Sequence, residues 1–189
     1  MATLICNASD INQASCVPSP GGFTGAWYIE TKDIDFDTVV FDGSLITDLA
    51  LVGAASWKIM QTVQGGKSSF KETQEDRGTD PMKPISFMPE VTGKFKVVDE
   101  DFLAAINNGV PCCQYTVVIQ GNDGKRRLFG FQDRGDGVAE NILQGMIMTA
   151  VTEGGDIEGV IDATVTFKGR SQKAHYILDI SVSMPALYN

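Results

Sequence analysis

Cys113-Gln-Tyr-Thr-Val-Val-Ile-Gln-Gly-Asn-Asp-Gly-Lys-Arg-Arg-Leu-Phe129 is the stretch on which the fold turns. Cys113, Tyr115, Val117 and Ile119 alternate with Gln114, Thr116 and Gln120. That period of two sends successive side chains to opposite faces of a strand. Gly121-Asn-Asp-Gly124 then supplies residues that tolerate the positive φ angles of a tight hairpin turn, and Arg127 to Gln132 returns as the partner strand.

The alternation continues on both sides of this hairpin. Phe23 to Glu30 and Asp35 to Asp42 read as strands joined by a polar turn, and Ala55, Trp57, Ile59 and Val63 alternate with Ser56, Lys58, Thr62 and Gln64. After a break at Gly65-Gly66, Ser68 to Glu75 is strand-like but polar on both faces apart from Phe70. Ile85, Phe87, Val91, Phe95 and Val97 alternate with Ser86, Glu90, Thr92, Lys94 and Lys96; Pro89 within this run argues for an edge position or a bulge. Toward the C-terminus, the apolar run Ile142 to Val151 predicts a strand with both faces partly covered. Ala163, Val165 and Phe167 alternate with Asp162, Thr164, Thr166 and Lys168, and Ala174, Tyr176, Leu178, Ile180 and Val182 with His175, Asp179 and Ser181. The period changes only near Asp99-Glu100-Asp101. There, acids in a first turn and Gly109 at the far end predict one short helix over 99–108. The whole reads as a mainly β fold, a β-sandwich or partly closed barrel with one short helix and long loops or arms.

A chain of 189 residues suffices for one domain with a sizeable core, and no stretch separates two halves. The expected organisation is an N-terminal arm, 1–22, ending in Pro18-Ser-Pro-Gly-Gly22, and a single β-sandwich domain, 23–189. Hydrophobic residues make up 43% and charged residues 21%, which argues for a folded chain rather than a disordered one. The net charge of −9 repels phosphates and anionic membranes, which disfavours a protein that grips nucleic acid, and no apolar run is long enough to span a bilayer. Residues 1–10 lack the basic and apolar regions of a signal peptide, so cytoplasmic synthesis and four reduced cysteines are expected. The spacings of Cys6, Cys16, Cys112 and Cys113 match no CxxC metal or redox pattern.

Catalytic signatures are missing. A Ser-His-Asp or Cys-His arrangement would need His175, the single histidine, yet no GxSxG elbow accompanies it; it reads as an exposed structural residue. Gly65-Gly66-Lys67-Ser68 carries Gln61 where a phosphate-binding loop has its first glycine, and so reads as a turn. In Asp133-Arg-Gly-Asp-Gly137 and the residues after it, Asp133, Asp136 and Glu140 are weak calcium candidates. They lack the ligand order of an EF-hand, and solvated loop carboxylates are the commoner case. Lys125-Arg-Arg127 reads as a solvated hairpin end or an ion-pairing contact between subunits. The expectation is a protein that is not an enzyme, with no cofactor and no catalytic residue.

The order of elements carries a resemblance. Gly21-Gly22 leads into Trp27-Tyr28-Ile29, a strand-loop-strand unit runs from Ser69-Phe-Lys-Glu-Thr73 to Lys96, and a helix follows Asp99. The Gly121–Gly124 hairpin with Leu128-Phe129-Gly130 comes next, then a closing pair around Ala163-Thr-Val-Thr-Phe-Lys-Gly169. This order resembles the tail tube (major tail) proteins of long-tailed bacteriophages, in particular virion proteins from phages and prophages of Bacteroidetes-type hosts. It covers most of the chain as an order of elements rather than a fingerprint, and the adjacent pair Cys112-Cys113 is foreign to it.

The resemblance implies a structural subunit of the virion tail that assembles with itself in the host cytoplasm. Hexameric rings would stack into a tube, joined by other virion proteins, with DNA as non-specific passing cargo and no membrane partner. In such proteins a continuous β-barrel lines the channel, the helix packs outside, and arms and long loops bridge rings. Carried onto this chain, Lys71, Glu72, Glu75, Glu90, Lys94 and Lys96 are candidates for the lumen lining, and a loop with Asp76, Arg77, Asp80 and Lys83 would reach the neighbouring ring. A mobile surface hairpin is the other reading of this unit. A tail terminator or head-tail connector ring is a close alternative. A carbohydrate- or calcium-binding β-sandwich, with Trp27 and Trp57 as a sugar-stacking face, is an alternative of another class.

Overall fold

The computed structural model describes residues 23–60, 68–75, 86–96, 104, 113–154 and 161–187. In chain order its strands are β1 (Phe23–Glu30), β2 (Ile34–Asp42), β3 (Leu45–Leu51), β4 (Lys58–Met60), β5 (Ser68–Gln74), β6 (Phe87–Lys96) and β7 (Gln114–Gly121). They continue as β8 (Arg126–Phe129), β9 (Phe131–Asp133), β10 (Ala139–Asn141), β11 (Gln144–Gly154), β12 (Ile161–Arg170) and β13 (Tyr176–Leu178). The mainly β expectation holds, as an open sandwich-like arrangement rather than a closed barrel. Ala104 is helical; the rest of the expected helix 99–108 lies outside the described residues, as does the arm 1–22.

Strand β7 is the hub. One edge pairs with β1, from Tyr115 to Gly121. The other edge pairs with β8 over Val117 to Gln120 and with β11 at Gln114 and Tyr115. Two limbs leave it: β8-β13-β3-β2, and β11-β12-β6-β5. The limbs cover opposite faces of the β1-β7-β8 layer and create two cores. Phe23, Ala26, Tyr115, Val117, Ile119 and Phe129 meet Val91, Met146, Met148, Ala163, Val165 and Phe167 in the first. Trp27, Ile29, Val118 and Leu128 meet Ile34, Val39, Ile46, Leu49, Phe131, Tyr176 and Leu178 in the second.

This double cover corrects the reading of β7 as a strand with one polar face. Val117, Val118 and Ile119 are all fully buried, each such side chain contributing about 1.5–3 kcal/mol on burial. Thr116 sits among them at 0% exposure and spends its hydroxyl on Thr31 Oγ1, 3.1 Å away. A buried hydroxyl without such a partner would be costly.

Other expectations also shift. The run Arg127 to Gln132 breaks at Gly130, where φ is +128° and an added Cβ would lie 2.6 Å from Thr116 Cα; β8 and β9 therefore belong to different sheets. β3 extends the fold beyond the strands read from sequence, joined to β2 through Gly43 at φ +61°. β13 is only three residues long, and Ile180 stands 77% exposed in the turn that follows it. Cys113 is disulfide-bonded, to a residue outside those described, which overturns the reduced state expected for it. That expectation rested on the make-up of residues 1–10, which carries no information about which sulfurs folding brings together.

Candidate functional site

The limb β11-β12-β6-β5 has one face on the first core and the other open to solvent, and its registers place the outward side chains in rows. Ile147, Lys168, Glu90 and Lys71 form one row across the four strands. Thr149, Thr166, Thr92 and Ser69 form the next, and Val151, Thr164 and Lys94 a third. The threonines are tied together: Thr92 Oγ1 and Thr166 Oγ1 are 3.2 Å apart, and Thr149 Oγ1 donates to Thr166 O at 3.3 Å. Lys168 Nζ meets Glu90 Oε2 at 3.2 Å. At the end of the face Arg170 pairs with Glu75, and Ser86 Oγ donates to the same carboxylate oxygen at 2.5 Å.

The candidate lining residues therefore divide. Lys71, Glu90 and Lys94 share the open face, with Glu75 at its end. Glu72 points the other way. Its Oε1 accepts the His175 backbone N–H and its Oε2 meets His175 Nδ1, both at 2.9 Å. Lys96 pairs its backbone with Asp162, but its side chain lies outside the described residues, as do Asp76, Arg77, Asp80 and Lys83. His175 is thus no exposed residue: it is half-buried, clasps the strand β5 to the segment before β13, and stacks near Phe129, ring centroids 5.6 Å apart. Alternation in sequence put His175 on a polar face; its long-range partner, over a hundred positions away, left no local signal. Ser171, the hydroxyl lining the same cleft, donates its proton to Gln132 Oε1 at 3.0 Å and is not aimed at the imidazole.

The outward charges described on this face are Lys71, Lys94, Lys168 and Arg170 against Glu75 and Glu90, so a chain of net charge −9 presents here a face that is not acidic. Its apolar members are Met88, Ile147 and Val151, at 50%, 43% and 55% exposure. Ile147 and Val151 correct the expectation that both faces of this run would be covered. Ile142, Met146, Met148 and Ala150 turn to the core.

The limb's outer strands differ in kind from the outer strand of the other limb. β11 keeps an unbroken register with β12 from Ile147 to Gly154, and β5 with β6 from Ser68 to Gln74. Among the described residues, β11 beyond Ile147 and β5 have no strand on their far sides. β2, by contrast, loses register between Asp35 and Val40 and again at Phe41. Thr38 fills that irregularity, donating to Asp35 O at 2.7 Å and accepting from Ala50 N–H at 2.9 Å. Asp37 and Asp42 stand exposed along β2. Bulges and charge are how an edge is kept from pairing with another chain.

The three calcium candidates are engaged separately. Asp133 Oδ1 accepts the N–H groups of Gly135 and Gly137 at 2.8 and 2.9 Å, and its Oδ2 meets Lys173 Nζ at 2.9 Å. That lysine contact, followed by the Gly135 N–H, holds the Asp133 carboxyl below its usual range. Asp136 pairs with Arg134, and Glu140 accepts from Gln132 Nε2 at 3.0 Å. Among the described residues no group of three or more His, Cys, Asp or Glu is placed to hold a metal ion. Trp27 and Trp57 are 2% and 7% exposed and offer no stacking face.

No family model matches the chain, and neither the curated proteins nor the solved structures contain a match.

Proposed function

We propose that this protein is a structural subunit that joins copies of itself edge to edge through the β11-β12-β6-β5 limb, as the resemblance to tail tube proteins implies. The observation that carries the reading is the contrast between edges: two in regular register on this limb, with no further strand beside them among the described residues, and one bulged and acidic on the other. Because each pairing in the limb is antiparallel, β11 and β5 run in opposite directions. Setting β11 of one copy beside β5 of the next continues the antiparallel pattern, and a head-to-tail contact of this kind closes into a ring when its rotation allows. Six copies would give the hexameric ring of a phage tail, stacked rings a tube, and the tied threonine rows its inner wall. DNA carries roughly one charge per 1.7 Å of axis, so a wall of hydroxyls with charges of both signs suits a passing duplex better than a field of one sign.

Light scattering across concentration, with negative-stain images of the same sample, tests this. Rings or tubes with a central hole are expected. Val151→Lys, which sets a charge at the β11 edge, should leave a folded monomer that no longer assembles, because Val151 is 55% exposed and contributes little to the core. A wild-type chain that stays monomeric up to its solubility limit sinks the proposal.

A further inference from the structure

Neither core uses the side chains of Arg134-Gly135-Asp136, at the tip of the β9–β10 hairpin. The hairpin's base is anchored: Phe131, Gln132 and Ala139 are buried, and Phe131 and Ala139 belong to the second core. From Arg134 to Val138 every residue is exposed. The tip owes its shape to other groups. Asp133 Oδ1 receives the Gly135 and Gly137 N–H groups, Arg134 N–H donates to Val138 O at 2.9 Å, and Tyr176 Oη accepts the Asp133 N–H at 3.0 Å. Gly135 sits at φ +112°, a conformation that favours glycine, with open space where a Cβ would be. Arg134 and Asp136 are 58% and 50% exposed and pair with each other; Asp136 Oδ1 also accepts the Val138 N–H at 3.2 Å.

We propose that this tip is a docking loop for a receptor that takes the Asp136 carboxylate as a ligand to a divalent cation held by the receptor, and the Arg134 guanidinium in an acidic cleft. This is the recognition chemistry of integrin-class adhesion receptors. An ionised carboxylate is a hard oxygen ligand of the kind magnesium and manganese prefer, and Arg134 keeps the Asp136 carboxyl below its usual range. A guanidinium presents a planar fork of donors that matches carboxylates. The pair between the two side chains is solvent-exposed and therefore weak, so a receptor offering each a stronger partner displaces it readily. The loop is shaped before contact, which spares the cost of ordering it on binding. Val138, 44% exposed beside the motif, adds apolar contact. The proposal does not depend on ring formation, since the hairpin packs in the second core and the open sheet face backs the first.

The test is binding of the immobilised full chain to a panel of purified ectodomains of Arg-Gly-Asp-dependent integrins in manganese buffer. Saturable binding is expected, abolished by a chelator and competed by a short Arg-Gly-Asp peptide. Asp136→Glu keeps the charge and moves the carboxylate by one methylene; it should weaken binding by at least about tenfold while the melting temperature holds. Arg134→Lys, which keeps the charge and loses the fork, gives an independent second reading in the same direction. Absence of manganese-dependent binding by the wild type, or unchanged binding by both variants, overturns the proposal.

Discussion

Strands β7 and β12 are both paired along each edge, yet they live in different solvents. β7 has a core on each face and buries every side chain from Tyr115 to Ile119. β12 buries Ala163, Val165 and Phe167 on one face and lays Thr164, Thr166 and Lys168 open on the other. The first has nowhere to put a polar atom without a dedicated partner, as Thr116 with Thr31 illustrates. The second has a surface that folding alone does not need. Stability should therefore concentrate in the β1-β7-β8 layer, and interaction in the β11-β12-β6-β5 limb.

The sharpest way to break that contrast is Gly130→Ala. An added Cβ would meet the backbone of Thr116 and Tyr115 at 2.6 and 2.7 Å, in a conformation with φ of +128°. Backbone cannot swing aside as a side-chain tip does, so a loss of about 3 kcal/mol or more in chemical denaturation is expected. The contrast itself is measured by a pair. Val118→Ala should cost about 2–3 kcal/mol for the methyl groups removed and the cavity left, whereas Thr166→Ala on the open face should stay within about 0.5 kcal/mol. Equal losses for the two would show that the limb is as essential to the monomer as the central layer.

A small, pH-dependent effect lies at the tip of the β7–β8 hairpin. Arg127 lies over Gly121 and pairs with Asp123 at 2.5 Å. The Arg127 side-chain hydrogen bond, with the Lys125 N–H, pulls the Asp123 carboxyl down to about 2. Because this folded-state value lies below the unfolded one of about 3.9, the pair's stabilisation is complete above that range and fades as pH falls through 2. Discounted for solvent at a hairpin tip, it contributes about 1 kcal/mol or less. Asp123→Asn should lower the melting temperature slightly at pH 7 and flatten the loss between about pH 4 and 2.

Periodicity made the strands legible, because whether a side chain lands in or out of a core is written two residues at a time. Phe23–Glu30 and the Gly121–Gly124 turn needed nothing more. What covers a strand's second face is set by segments far away, so the burial of Val118 and Thr116 was invisible. The same holds for the clasp between Glu72 and His175. Gly130 gave a hint, since a glycine inside a returning strand often marks a bend or a close backbone approach. Of the candidate lining residues, alternation could have separated Glu72 from Lys71; reading Ser68 to Glu75 as polar on both faces hid the distinction.

The Trp27 indole N–H donates to Pro185 O at 2.9 Å, and Leu187 lies where a Cβ on Gly25 would be. The first described strand is thus roofed by the last described segment, the two separated by 158 positions. During synthesis, domains gather from the N-terminus as the chain emerges. Here, however, β1 must wait with one flank bare until Pro185 and Leu187 have left the ribosome. Completion of the cover over β1 is timed by the arrival of Pro185 and Leu187, so a chain interrupted before Pro185 is released unfinished rather than released early.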